Sequence, residues 1–207
     1  MAYDLEEQEQ LDEFKAWWKQ HGRLISRVFI ALLVSYAAYQ AWHYYQNKQS
    51  VAGSSLYQEL VVADPKDLKT ILAKSASLMD DYSGTPYAGR AALLAAKANY
   101  QAKQVASAKA QLEWAAKHAS EPSVEALATL QLASILFEEK DLNGALDLLN
   151  ESHEAGFDGL FADLKGDVLA ALGKNAEAKA AYQEALDKLD PAGKVRALTQ
   201  KKLESLA

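Results

Sequence analysis

From Val28 to Asn47 the chain runs twenty residues without a formal charge, and the first twelve, VFIALLVSYAAY, are almost wholly apolar. At about 1.5 Å per helical residue, this stretch reaches roughly 30 Å, the hydrocarbon thickness of a bilayer. The pattern predicts a membrane-spanning helix within residues 24–47, with Val28, Phe29, Ile30, Leu32, Leu33 and Val34 against lipid. Gln40 and His43 fall toward its far end, where headgroup depth tolerates them. Trp42, Tyr44 and Tyr45 form half of an aromatic belt there, and Trp17 and Trp18 precede the span. Lys15, Lys19, Arg23 and Arg27 lie just before the span and Lys48 alone close behind it, which predicts a cytoplasmic N-terminus. A cleavable signal peptide cut at Ser35-Tyr36-Ala37 is the rival reading. It would leave only about seven apolar residues before the cut, at the bottom of the usual range, and the acid-rich tail before them also fits poorly. The flanking aromatics and the charge asymmetry argue against a third reading, a buried core helix.

Ahead of the span, Leu11, Phe14 and Trp18 recur at steps of three and four, with acids on the other side. That spacing predicts a short amphipathic helix in a tail of residues 1–23, ending at Gly22, since glycine tolerates the left-handed backbone that stops helices. Such a helix lies in the membrane interface, or docks a cytoplasmic or membrane partner.

Residues 48–207 show no sustained strand alternation; alanine, leucine, lysine and glutamate dominate, all good helix formers. Pro65, Pro86, Pro122 and Pro191 sit at junctions, and Asp64-Pro65 and Thr85-Pro86 read as an N-cap followed by proline at the first helical position. Glycines 84, 156, 159, 173 and 193 mark ends and turns. Helices are expected near 53–63, 65–82, 86–102, 104–119, 122–139, 142–154, 158–172, 174–189 and 192–206, as stacked antiparallel pairs.

Self-comparison sharpens this. Ser107–Leu112, Gly144–Leu149 and Glu177–Tyr182 align, placing Ala108, Ala145 and Ala178 at intervals of 37 and 33 residues. That period belongs to the helix–turn–helix repeats of tetratricopeptide type, about 34 residues long. In the last copy Gly166, Leu169, Gly173, Ala178, Tyr182 and Ala185 follow the small, large, turn, small, aromatic, small order. The middle copy keeps Leu132, Ala133, Leu136, Ala145 and Leu149 but carries Lys140 where the turn glycine belongs. The first copy keeps Ala92, Ala96, Ala108, Leu112 and Ala115. Small residues let paired helices cross closely, and large ones fill the space to the next pair. The final helix, with Lys194, Arg196, Lys201, Lys202 and Glu204, reads as a polar cap. The fold class is therefore all-α: an N-terminal transmembrane helix, then an α-solenoid of tetratricopeptide-like hairpins over 48–207.

Composition narrows the function. A net charge of −6 argues against a general nucleic-acid binder, and with no cysteine there is neither disulfide nor thiolate chemistry. His21, His43, His118 and His153 are isolated, without the spacing of a metal site. No GxSxG, Walker or GxGxxG motif occurs. Neighbouring acids such as Asp80-Asp81 and Glu138-Glu139 diverge on a helix and read as solvated surface. Tyr57, Tyr82, Tyr87, Tyr100 and Trp114 are read mainly as core, and alternatively as the lining of a peptide groove. No catalytic residue, cofactor or metal is expected.

The run Glu6-Glu7-Gln8, Leu11, Phe14-Lys15, Trp17-Trp18 and Gly22-Arg23, followed at once by an anchor, resembles the YfgM-type ancillary subunits of the SecYEG translocon. The stretch Gly156-Phe157 through Ala162-Asp163-Leu164-Lys165-Gly166-Asp167 is similar to the same family, and the likeness covers essentially the whole chain. The resemblance implies a Gram-negative inner-membrane protein, single-pass, with its helical domain in the periplasm. It also implies association with SecYEG and with the membrane-anchored periplasmic folding factor PpiD, helping exported client chains pass to chaperones. The alternative is a periplasmic scaffold in cell-envelope or division complexes.

Overall fold

The computed structural model describes the backbone of residues 2–206 and the side chains of residues 9–206, so the side chains of Glu6, Glu7 and Gln8 lie outside the described residues. Among these the chain forms nine α-helices and a 3-10 turn, with no strand. It divides into two compact units, Met1–Gln49 and Ser50–Ala207.

The first helix, α1 (Ala2–Val61), makes up the first unit and opens the second. Its length corrects the expectation that Gly22 stops a tail helix. No proline occurs before Pro65, and Gly22 has no left-handed backbone; of the glycines, only Gly173 does. A Cβ on Gly22 would meet the Trp18 indole at 3.1 Å. Glycine here makes room for a ring one turn back, and its propensity cost of about 1 kcal/mol relative to alanine is too small to break a long helix.

The second unit continues with α2 (Leu68–Asp81), α3 (Pro86–Gln101), α4 (Val105–His118) and α5 (Pro122–Glu138). It ends with α6 (Leu142–Leu149), α7 (Asp158–Ala171), α8 (Asn175–Lys188) and α9 (Lys194–Ser205). Two boundaries and one cap depart from the sequence pattern. Asp64 does not cap a helix at Pro65; its carboxylate accepts from the Lys66 N–H at 2.9 Å in a tight turn. Helix α2 starts at Leu68 because Asp67 accepts from both the amide and the hydroxyl of Thr70, at 3.1 and 2.6 Å. Thr85 does precede Pro86 at the helix start, but its hydroxyl donates backward to the Tyr82 carbonyl at 2.8 Å. Helix α6 ends at Leu149, five residues short of the expected 154. The segment beyond is held instead by His153, whose ring stacks on Phe161 with centroids 3.6 Å apart. Gly159 lies in the first turn of α7 and is no turn glycine: it is buried, and an added Cβ would come within 2.9 Å of Leu189.

Helices α3–α4, α5–α6 and α7–α8 are hairpins in one register. Lys103, Lys140 and Gly173 hold the linking turns with φ of 63°, 68° and 76°. In each turn the next N–H reaches back to the preceding helix: Gln104 to Asn99, Asp141 to Leu136 and Lys174 to Leu169, at 2.8–2.9 Å. The conformation that favours glycine is therefore present even where lysine occupies it.

Packing follows the same offsets. Ala96, Ala133 and Gly166 are all buried on the first helix of their hairpins; Leu112, Leu149 and Tyr182 are buried on the second. Ala96 and Leu112 share one apolar cluster, and Ala133 and Leu149 share the next with Phe161 and Val168. Each large side chain so buried is stabilising by about 1.5–3 kcal/mol. Leu60 near the end of α1 packs with Ile71, Leu78 and Ala91, attaching α1 and α2 to the solenoid.

At the other end α9 is held by charge as much as by apolar contact. Lys202 lies 2.9 Å from Asp163 and 2.7 Å from Asp167 of α7. Thr199, fully buried, donates to Asp163 at 2.7 Å, and the Tyr182 hydroxyl donates to Asp167 at 2.8 Å. Of the residues read as a polar cap, Lys202 is turned inward onto α7. Burial alone would lower the Lys202 pKa, but its hydrogen bonds to Asp167 and Asp163 outweigh that and raise it. The Tyr182 phenol is pushed up by burial and by its bond to Asp167.

Candidate functional site

Between α3 and α5 lies an open groove of about 810 Å³. Leu93 and Leu94 of α3 and Leu127 and Ile135 of α5 supply apolar lining, while Lys97, Gln131 and Ser134 add polar groups. Leu93 also packs on the α3–α4–α5 core and Leu94 on the α1–α2–α3 core, whereas Leu127 belongs to neither. Apolar contact with a few convergent polar groups is the chemistry that holds a polypeptide segment by its side chains and its backbone together.

Two bridges tie the walls. At one end Arg90 of α3 donates from Nε and Nη2 to both carboxylate oxygens of Glu121, each at 2.7 Å. At the other, the Tyr100 hydroxyl donates to Glu138, and that bond raises the phenol's pKa. The two bridges span the gap between α3 and α5 near its two ends, while Ala92, Ala96, Ala128 and Leu132 pack the helices together beneath. Ten helical residues separate Arg90 from Tyr100, about 15 Å of helix axis, enough for four or five extended residues of a bound segment at about 3.3 Å each.

The candidate aromatics divide. Tyr57 and Tyr100 line the groove. Tyr82 and Tyr87 pack against the core formed by α1, α2 and α3, with Tyr87 5.5 Å from Tyr57. Trp114 packs on the core between α3, α4 and α5 and stacks on His118. The pattern of hydrophobic and polar positions did not single out Lys97, Leu127, Gln131 or Ser134. A signal for them exists: Arg90, Leu94, Lys97 and Gln101 stand 37 residues before Leu127, Gln131, Ser134 and Glu138. The offset that aligns the alanines also aligns the groove.

The repeat-packing residues lie where helices cross. Ala108, Ala145, Ala178 and Ala185 have no exposed surface, and Tyr182 is 3% exposed. A Cβ on Gly166 would meet two Tyr182 ring carbons at 2.4 Å. Gly173 holds its left-handed turn in open space.

In the first unit, α1 contains a segment long and apolar enough to cross a membrane, none of it buried within the protein. Val28, Phe29, Ile30, Leu32, Leu33, Val34, Trp42, Tyr44 and Tyr45 are all exposed, as are Lys19 and Arg27, with Arg23 exposed beside them. So large an unbroken apolar surface calls for lipid or a partner around it. In the tail, Phe14 stacks on Trp17 and Trp18, each 6.2 Å away. Among the described residues no cluster of three or more histidines and acids could hold a metal ion.

A family model described as a tetratricopeptide repeat-like domain matches residues 15–207. The chain is 31% identical, over the full length of both, to an ancillary SecYEG translocon subunit of Neisseria gonorrhoeae. It is 28% identical to a protein of the same description from Haemophilus influenzae, covering 89% of this chain and 91% of that one. A third, from Escherichia coli K12, is 23% identical over 97% of each.

Proposed function

We propose, from the premise that this chain belongs to the tetratricopeptide repeat-like family of ancillary SecYEG translocon subunits, that it is a membrane-held adaptor gripping polypeptide segments in the α3–α5 groove. The N-terminus is cytoplasmic, α1 spans the inner membrane as an uncleaved anchor and the hairpins face the periplasm. Anchoring confines the groove beside the exit of exported chains and raises its effective concentration there without high affinity. Clients held at Leu94, Leu127 and Ile135 pass onward to chaperones, with PpiD as a membrane-anchored partner.

One observation carries this reading: an open, apolar-lined groove between α3 and α5, in which Leu127 is only half-buried and joins none of the apolar core clusters. The test is site-specific photocross-linking from Leu127 and Lys97 in intact cells while a secreted protein is being exported. Adducts with the exported chain are expected from both positions, and Leu127→Glu should remove those formed from Lys97 while leaving SecYEG co-purification intact. Adducts unaffected by Leu127→Glu would refute the groove. Absence of SecYEG from gentle detergent extracts would refute the adaptor role.

A further inference from the structure

Within the proposed span, Phe29, Leu33, Tyr36, Gln40, His43 and Asn47 follow one another at alternating steps of four and three. That is the spacing of a left-handed helix–helix seam. All six are exposed. No charged side chain interrupts this face over the span.

The seam is polar at depth. The sequence pattern sets Gln40 and His43 at headgroup depth. Counted from Val28 at about 1.5 Å per residue, however, Gln40 lies about 18 Å and Tyr36 about 12 Å into a layer roughly 30 Å thick, which puts both inside the hydrocarbon. The Gln40 amide donates to the Tyr36 hydroxyl at 2.8 Å. That single bond leaves the Gln40 carbonyl, its second amide hydrogen and the Tyr36 hydroxyl hydrogen without acceptors or donors among the described residues. His43 sets its ring edge-on against Tyr39, centroids 4.9 Å apart, and neither ring nitrogen has a hydrogen-bond partner among the described residues. Lipid tails offer nothing to such groups, and leaving them unmatched in hydrocarbon is strongly unfavourable.

We infer that this seam is a docking surface for one transmembrane helix of another protein. Its chemistry is specified by the seam: small residues opposite the rings of Phe29, Tyr36 and His43, and amide or hydroxyl side chains opposite Gln40 and Asn47. A second copy of this chain is a poor occupant. In a parallel pair each layer meets its own kind, and rings would face rings at residues 29, 36 and 43, spaced one heptad apart, holding the backbones from close approach. A partner with glycine, alanine or serine at those layers lets the rings pack and brings the amides within hydrogen-bonding reach. The inference rests on the membrane reading above.

The experiment places a photocross-linking amino acid singly at Leu33, Tyr36 and Gln40, and at Val34, Ala38 and Ala41 on the far side, in the full chain in native membranes. Adducts from the first three only, mapped by mass spectrometry to a membrane-spanning segment with small residues at heptad spacing, are expected. Gln40→Leu should weaken recovery of that partner about three- to twentyfold, the range measured for single intramembrane hydrogen bonds, while the variant stays in carbonate-washed membranes. Adducts at twice the mass of this chain, equal labelling from both faces, or no adducts from a membrane-held chain overturn the seam alone. Release of the wild-type chain by carbonate overturns both the seam and the membrane reading.

Discussion

Gly166→Ala provides the most direct test of the packing. The added methyl would sit 2.4 Å from Cδ1 and Cε1 of Tyr182, and that ring is tethered by its hydroxyl bond to Asp167. Either the ring stays and is overpacked, at about 1–3 kcal/mol, or it retreats and loses a bond to a charged acceptor, at about 1.5–3 kcal/mol. Alanine recovers about 1 kcal/mol of helix propensity. The net expectation is a loss of up to about 2 kcal/mol, read as up to about 8 °C in thermal melting by circular dichroism of the full chain in detergent. The other hairpins supply the control. Where the facing residue is Leu112 or Leu149, the small position is alanine (Ala96 or Ala133). In a Tyr182→Leu background, Gly166→Ala should therefore stabilise, by about 1 kcal/mol, filling space and gaining propensity. Gly156→Ala, with nothing within 4 Å of its added carbon, should change little. If Gly166→Ala acts in the same direction in both backgrounds, the size-matched pairing is refuted.

Ala178→Trp should destabilise by about 1–3 kcal/mol or more, since the site has no exposed surface; an unchanged melting temperature would place the crossing elsewhere. Lys140→Gly should raise stability by about 0.5–1 kcal/mol, because lysine there holds φ at 68°, and Gly173→Ala should lower it by about 1 kcal/mol; urea midpoints decide both. Stability should fall as pH rises from about 10. Lys202 and Tyr182 both keep their protons more tightly in the fold than in the unfolded chain, so their contribution is complete below the unfolded values and fades above them. Lys202→Met together with Tyr182→Phe should flatten that alkaline slope, and a slope identical to wild type would show that the α9 latch does not titrate as described.

The hairpin register was legible in the chain because its signal is local: alanines at 108, 145 and 178 and a glycine at 173 are bound by close approach and backbone conformation. The helix pattern placed the turns at Lys103 and Lys140 but not their left-handed backbone, since lysine carries no preference for positive φ and is set there by the hydrogen bonds around it. The early end of α6 depended on His153 meeting Phe161, a contact between separate elements that no periodicity encodes. Gly22 misled because a glycine serving a neighbouring ring looks, in sequence, like one serving a turn. The groove was hardest to see. Its lining mixes leucine, lysine, glutamine and serine, and only the 37-residue offset between α3 and α5 unites them.

The matched volumes inside each hairpin bear on how such a chain can change over generations. Ala96 belongs with Leu112, Ala133 with Leu149 and Gly166 with Tyr182, so two helices joined by a left-handed turn travel as one heritable module. Transplanting α5 alone into the place of α7 would drive a methyl into the tyrosine ring, and the reciprocal graft would open a void against Leu149. Recombination that cuts outside the hairpin preserves the fit. The ancestry of the repeats should therefore be written in duplicated pairs, with breakpoints in the links between hairpins.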